Sequence, residues 1–296
     1  ILQSIGDSRH PLIYLIISSC INVVLDIVLV APPLNMGAAG AAIATITAQA
    51  ISFIVSVIFL RRSSFVFDFK WKSFKMHKDL VKQLLGIGLP ASLQGTLVSL
   101  SFMFLTSIAN GIAGLIGSNA LSIAGKVNSI AILPSMAMQA SVSSMAGQNV
   151  GAGKPERAAQ TLKYAAMIAT GYGIAVVLVI ELVAEPLLGC FTTDAAVVLM
   201  GCQYIRGYIV DTIFAGIHFS FTGYFAACGK SYIGFLHNII AIVLVRVPGS
   251  YLASRLFAGT LLPMGLAAPA GSLLSVMICV AAYRWMKRRG TLYTAA

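Results

Sequence analysis

Residues 11–30 read PLIYLIISSCINVVLDIVLV, twenty positions of nearly unbroken apolar character around one charged side chain, Asp26. A helix rising ~1.5 Å per residue needs about 20 such residues to cross the ~30 Å hydrocarbon layer of a bilayer. Lipid offers no partner for backbone N–H and C=O groups, so a spanning segment is a helix or a strand of a closed barrel. This run lacks the alternation of a barrel strand and predicts a helix. Stretches about 37–60, 84–108, 120–146, 159–183, 200–228, 232–254 and 264–285 satisfy the same condition. The sequence therefore predicts an all-α, polytopic transmembrane helical bundle with eight spans.

Composition excludes the other classes. Hydrophobic residues make up 58% of the 296 positions and charged residues 10%, against about 25% charged in a soluble domain. The net charge of +11 does not point to nucleic acid, because the basic residues lie between apolar segments rather than along one face. Cys20, Cys190, Cys202, Cys228 and Cys279 form no C-x-x-C pair and read as small hydrophobes, with no metal site or cofactor implied. An enzyme would need His, Asp or Glu clustered at catalytic spacing, and no such cluster is seen.

The connections carry the orientation. Sixteen of the 20 Lys and Arg residues fall in the alternate connections 1–10, 61–83, 147–163, 229–231 and 284–290. The opposite connections hold only Arg255, while Lys126, Arg206 and Arg246 fall inside spans. The positive-inside rule then places both ends of the chain in the cytoplasm of a cell inner (plasma) membrane. The linker from Phe65 to Lys82 interleaves Phe67, Phe69, Trp71 and Phe74 with five lysines. It reads as a basic connection with aromatic interface anchors, or as an amphipathic segment lying on anionic lipid.

Two regions repeat. Gly6-Asp7-Ser8, a span, Met36-Gly37-Ala38-Ala39-Gly40, a span and Arg61-Arg62 match Gly229-Lys230-Ser231, a span, Met264-Gly265-Leu266-Ala267-Ala268, a span and Lys287-Arg288-Arg289. Six spans separate the copies, so both have the same orientation, as in transporters built from two parallel six-helix halves. On this reading residues 1–60 are the last two helices of an N-lobe, 61–83 a cytoplasmic inter-lobe linker and 84–296 a six-helix C-lobe. Eight spans are then present of an inferred twelve, and the chain is expected to be an N-terminally truncated piece.

Three sets of residues resemble the multidrug and toxin extrusion (MATE) family. Leu2 to Pro11, Asn22-Val23-Val24-Leu25-Asp26 and Gly37 to Thr45 resemble its fifth and sixth helices. Gly86-Ile87-Gly88-Leu89-Pro90 resembles the start of its seventh. The most specific set, Gly147-Gln148-Asn149-Val150-Gly151-Ala152-Gly153-Lys154-Pro155-Glu156, is similar to its loop between helices eight and nine. That loop lacks the G-x-x-x-x-G-K-[ST] spacing of a nucleotide-binding loop and predicts a tight turn, with Pro155 and Glu156 opening the next helix. The resemblance implies a secondary antiporter that exports lipophilic or cationic drugs or metabolites in exchange for H⁺ or Na⁺ by rocker-switch alternating access. A lipid-linked oligosaccharide flippase is a related alternative, and a transport-inactive fragment another.

Ionisable side chains in hydrocarbon cost roughly 2.5–3.5 kcal/mol each at mid-helix, so each needs a reason. Asp26 lies 15 residues into its span with Asn22 one turn earlier on the same face. A carboxylate beside an amide oxygen suits Na⁺, reversible protonation or a structural hydrogen bond. The resemblance implies a cation-coupling site at Asn22, Asp26 and Thr45, with possible Na⁺ at Asn22 and Asp26. Where some relatives carry a helix-seven Glu, this chain has Val98. Lys126, Asp211 and Arg246 are possible cavity or secondary polar residues. Asp211 is expected to pair locally, with Arg206 or another polar partner, and Arg246 to find a cavity or a carboxylate. Pro90, Pro134 and Pro248 are candidate helix kinks. His218 and His237 are read as hydrogen-bonded core histidines. The expected partners are a small-molecule substrate and the lipid bilayer, with no nucleic acid and no nucleotide.

Overall fold

A computed structural model describes residues 7, 9–32, 34–62, 77–257 and 259–293. The aromatic linker residues from Phe65 to Phe74, with Gly6 and Ser8 of the repeat, lie outside the described residues. Helices and turns account for the described residues, with no strand among them. The chain divides into two compact units, Ile1–Lys78 and Asp79–Ala296.

The first unit is an antiparallel pair, α1 (Arg9–Val30) and α2 (Gly37–Arg62). Both are apolar throughout, so side-chain size rather than hydrophobicity sets how closely they pack. The small residues Ala44 and Ala48 of α2 are fully buried. A Cβ on Gly40 would meet the Leu29 carbonyl oxygen at 2.9 Å, so only glycine lets α2 start this close to the end of α1. Asn35 and Gly37 take positive φ, 43° and 53°, to turn the chain between them. Hydroxyls then rivet the pair along its length: Ser18 Oγ donates to the Ala48 carbonyl at 3.1 Å, and Ser52 Oγ to the Tyr14 carbonyl at 3.4 Å.

The second unit begins with α3 (Lys78–Gly151), two helices merged across a break at Ala113 (φ −135°, ψ 20°) and Gly114 (φ 59°, ψ −139°). The connection expected over residues 109–119 is therefore much shorter. Pro90 and Pro134 lie inside helix without non-helical backbone at either. After a turn closed by Lys154 N–H donating to the Asn149 carbonyl (2.8 Å), α4 (Pro155–Gly189) opens with Pro155 and Glu156 in its first turn, as expected.

The span expected at 200–228 is two helices, α5 (Ala195–Ile209) and α6 (Asp211–Ala227), separated at Val210. The next is α7 (Ser231–Ala241), a π-helical turn (Ile242–Arg246) and α8 (Val247–Leu256). Pro248 has no N–H to give the preceding turn and its ring crowds a carbonyl four residues back. The widened turn, in which Val247 N–H bonds to the Ile242 carbonyl, absorbs that conflict. The last span is α9 (Leu262–Arg289), which packs against α5, α6, α7 and α8.

Two apolar clusters hold this unit together. One gathers Leu121, Leu188, Tyr204, Ile205, Ile209 and Met264; the other Val142, Leu162, Tyr224, Phe225, Cys279 and Leu292. Many large apolar side chains point outward instead, with Leu115 77% and Leu182 84% exposed. Water would penalise that surface and lipid would not. Among the described residues six helices are long and apolar enough to cross a membrane; α3 counts once among them, and the divided α5 and α6 fall short singly. The whole is an all-α, polytopic membrane bundle.

Candidate functional site

Polar side chains within the helices gather at two places, one in each unit. In the first unit the α1–α2 register that pairs Tyr14 with Ser52 and Ser18 with Ala48 brings Asn22 to Thr45. Asn22 Nδ2 donates to Thr45 Oγ1 at 3.4 Å, and Thr45 Oγ1 donates to the Ala41 carbonyl at 2.9 Å. Asp26 lies one turn beyond Asn22 on α1. The register carries it to the level of Gly40 and Ala41, which have no polar side chain to offer. Its Oδ1 is buried and has no hydrogen-bond partner among the described residues. An unpaired buried carboxylate oxygen in low dielectric is costly. The Asn22 amide oxygen faces no competing bond, since the amide bonds to Thr45 through nitrogen.

The second unit forms a half-open cavity of about 770 Å³. Its walls come from both arms of α3, from α5 and α6, from α7 and the π turn after it, and from α9. Lys126, Asn128, Tyr208, Asp211, His218 and Arg246 line it together with Phe102 and Phe219. Asn128, Asp211 and His218 are buried; Lys126 is exposed. The Asn128 Oδ1, Asp211 Oδ1, His218 Nδ1 and Arg246 Nε atoms are all buried without a partner among the described residues. The cavity thus gathers four of the ten buried, unpartnered side-chain atoms found among the described residues of this unit.

Local folding explains how these groups converge. The π turn before Pro248 delivers Arg246, whose Nη2 donates to the Tyr208 hydroxyl at 2.5 Å, with the guanidinium carbon 5.4 Å from the Tyr208 ring centroid. Val210 keeps helical dihedrals (φ −56°, ψ −26°), so Asp211 follows Tyr208 by about one turn and both line the cavity. Arg246 is the charged neighbour of Asp211 and Ser272 a hydrogen-bonding one. Asp211 does not pair with Arg206, contrary to the expectation above. Arg206 reaches Glu181 instead, Nε to Oε2 3.5 Å, with both side chains nearly half exposed. Glu181 is therefore the partner of Arg206. Val98 lines the cavity and supplies no carboxylate there.

His237 is fully buried, its Nε2 3.0 Å from Thr222 Oγ1, while its ring centroid lies 5.5 Å from that of His218. Tyr208 carried no signal in the sequence on its own. Its spacing of three from Asp211 puts the two on one helical face and could have revealed it. Among the sequence-predicted residues, the structure brings Asn22 to Thr45, and brings Lys126, Asp211 and Arg246 to one cavity.

Known proteins resemble this arrangement along almost all of the chain. The MatE family model matches residues 90–252, more than half of the 296 positions. Two Bacillus subtilis proteins described as probable multidrug resistance proteins, YoeA and YpnP, are each 27% identical, over 301 and 259 residues. The alignments cover 98% and 86% of this chain, and 64% and 56% of those proteins. The chain therefore spans only about three-fifths of the length of these relatives. A crystal structure of a mutant of the Vibrio cholerae MATE transporter VcmN superposes with a TM-score of 0.89 at 22% identity, covering 99% of this chain and 65% of that one. At that identity the likeness speaks for the fold.

Proposed function

The chain belongs to the MatE family, and from that premise we propose that it is part of a secondary antiporter exporting lipophilic or cationic drugs or metabolites in exchange for H⁺ or Na⁺. The relatives' description as multidrug resistance proteins supports the cargo class. The Lys and Arg asymmetry supports a multi-pass protein of the plasma membrane with both ends of this chain cytoplasmic.

The observation that carries the coupling step is the orphaned Asp26 Oδ1 beside the Asn22–Thr45 hydrogen bond. With Asp26 ionised, the carboxylate has no ion-pair partner among the described residues. A proton on the carboxyl turns that oxygen into a donor and permits closer packing around it. Sodium would instead take the Asp26 carboxylate and the Asn22 amide oxygen as ligands. Either ion favours a conformation in which Asp26 is desolvated, and its release favours the other. The difference in ion affinity between the two states is what drives alternation of the two lobes.

The test is uptake of a fluorescent drug into everted vesicles containing the full-length protein, which corresponds to efflux from the cell, with proton and sodium gradients imposed separately. Wild-type protein moves the drug under one gradient, and Asp26→Asn, inserted at normal levels, does not. Efflux from Asp26→Asn equal to wild type would remove Asp26 from the coupling site.

A further inference from the structure

The cavity of the second unit has a charge of its own. Lys126 and Arg246 bring two basic side chains to its wall and Asp211 the single acidic one, so the lining carries more basic than acidic groups. No carboxylate lies within ion-pair distance of Lys126 or Arg246 among the described contacts. Arg246 satisfies one donor on the Tyr208 hydroxyl, a neutral acceptor, and leaves Nε buried without a partner. A guanidinium with unused coplanar donors is a fork for a carboxylate or phosphate. Low dielectric around it raises the reward for an incoming anion and the penalty for an incoming cation. The rims are apolar and aromatic, with Phe102 and Phe219 available to the body of a drug-sized molecule.

We propose that this cavity is a binding site for organic anions, meaning a carboxylate or phosphate carried on an apolar or aromatic body. Arg246 and Lys126 receive the anionic group, and Asp211 with Asn128 selects molecules that also bring a hydrogen-bond donor. The proposal rests on the exporter reading and sharpens it, because it assigns the second unit a cargo opposite in charge to a lipophilic cation. The shared chemistry admits two sources, a soluble organic acid or the headgroup of an anionic lipid.

The test uses two dyes with the same xanthene body, fluorescein as the anion and rhodamine 6G as the cation. Their binding to purified full-length protein is followed by fluorescence anisotropy in phosphatidylcholine nanodiscs. Fluorescein is expected to bind more tightly than rhodamine 6G. Lys126→Gln, at an exposed side chain whose loss leaves the packing intact, weakens fluorescein by about tenfold, the effect of about one charge-assisted contact. Asp211→Asn strengthens fluorescein binding and weakens rhodamine 6G. Preference for rhodamine 6G, or indifference of fluorescein to Lys126→Gln, overturns the proposal.

Replacing part of the phosphatidylcholine by phosphatidylglycerol separates the sources. Competition with fluorescein identifies a lipid headgroup as occupant, and unchanged binding identifies a soluble acid; either supports an anion site. Gradient-driven transport of the dyes is scored separately. Binding that follows the charges without transport under either gradient sinks the exporter reading alone. Transport with binding that ignores the charges sinks the anion site alone.

Discussion

Arg246 and Tyr208, 38 positions apart, meet through a 2.5 Å hydrogen bond from Nη2 to the phenol oxygen, with the guanidinium also lying against the same ring. The contact ties the π turn of the α7–α8 span to the end of α5, on the wall of the cavity. Tyr208→Phe keeps the ring and removes the acceptor, leaving a second guanidinium donor buried and unpaired. Loss of a hydrogen bond to a charged group costs about 1.5–3 kcal/mol. The variant should unfold at lower temperature in detergent than wild type. An unchanged melting temperature would show that Arg246 is held by other groups.

Thr45→Val tests the other site with an isosteric change. Thr45 is exposed, so its loss removes little packing, yet Asn22 forfeits the acceptor for its amide nitrogen. The amide is then free to rotate its oxygen away from Asp26. Ion-driven efflux should need a several-fold higher concentration of the coupling ion, with maximal efflux nearly preserved. Full loss of efflux, as expected of Asp26→Asn, would instead place Thr45 in direct contact with the ion or the cargo.

The spans were legible in the sequence because lipid enforces helices of known length, and no tertiary detail can override that. The breaks within them were less so. The turn at Ala113–Gly114 depends on a left-handed glycine in an otherwise helical run, and glycine is common in such runs. Pro248 signalled a disturbance, but whether it becomes a kink or a π turn depends on packing. The expected Arg206–Asp211 pair fails on geometry: five positions apart, two side chains sit about 140° around a helix. Asp26 and Arg246 stood out because charges in hydrocarbon need a reason. Tyr208 did not, since a tyrosine in a span needs none. Its spacing of three from Asp211 was the one hint, and the fold completes the role by bringing Arg246 to the hydroxyl from a distant helix.

Asp7 gives a pH dependence with a definite sign. Its Oδ1 accepts from the backbone N–H groups of Arg9 (3.2 Å) and His10 (3.3 Å) at the start of α1, and Oδ2 meets His10 Nδ1. Desolvation pushes its pKa upward, but these hydrogen bonds and the imidazole outweigh it and hold the carboxyl below its ordinary 3.8. A depressed folded pKa means stability that is present above the ordinary value and lost as pH falls through the folded one. Hydrogen-exchange protection at the first turn of α1 should hold from neutrality to about pH 5 and decline below pH 4. In Asp7→Ala it should be low throughout. Protection in that variant equal to wild type at neutral pH would remove Asp7 as the cap.

Gly265 and Gly207 test how closely α9 approaches α5. A Cβ on Gly265 would run into the Tyr204 carbonyl oxygen, and one on Gly207 would lie 2.6 Å from the Leu262 carbonyl oxygen, backbone against backbone in both directions. Neither helix can yield without moving Tyr204, which is 1% exposed and central to the core. Gly265→Ala should therefore destabilise by about 1–3 kcal/mol through overpacking. Gly271, further along α9, is the control. Its nearest neighbour to an added Cβ is the Ala241 carbonyl oxygen at 3.4 Å, an ordinary contact. Gly271→Ala should be neutral or stabilising by up to about 1 kcal/mol, because alanine is the better helix former. The discriminating quantity is the difference in melting temperature between the two variants, each measured in the same detergent. Equal values would mean that α5 and α9 stand further apart than their glycines imply, and the wall of the cavity that carries Tyr208 would be correspondingly loose.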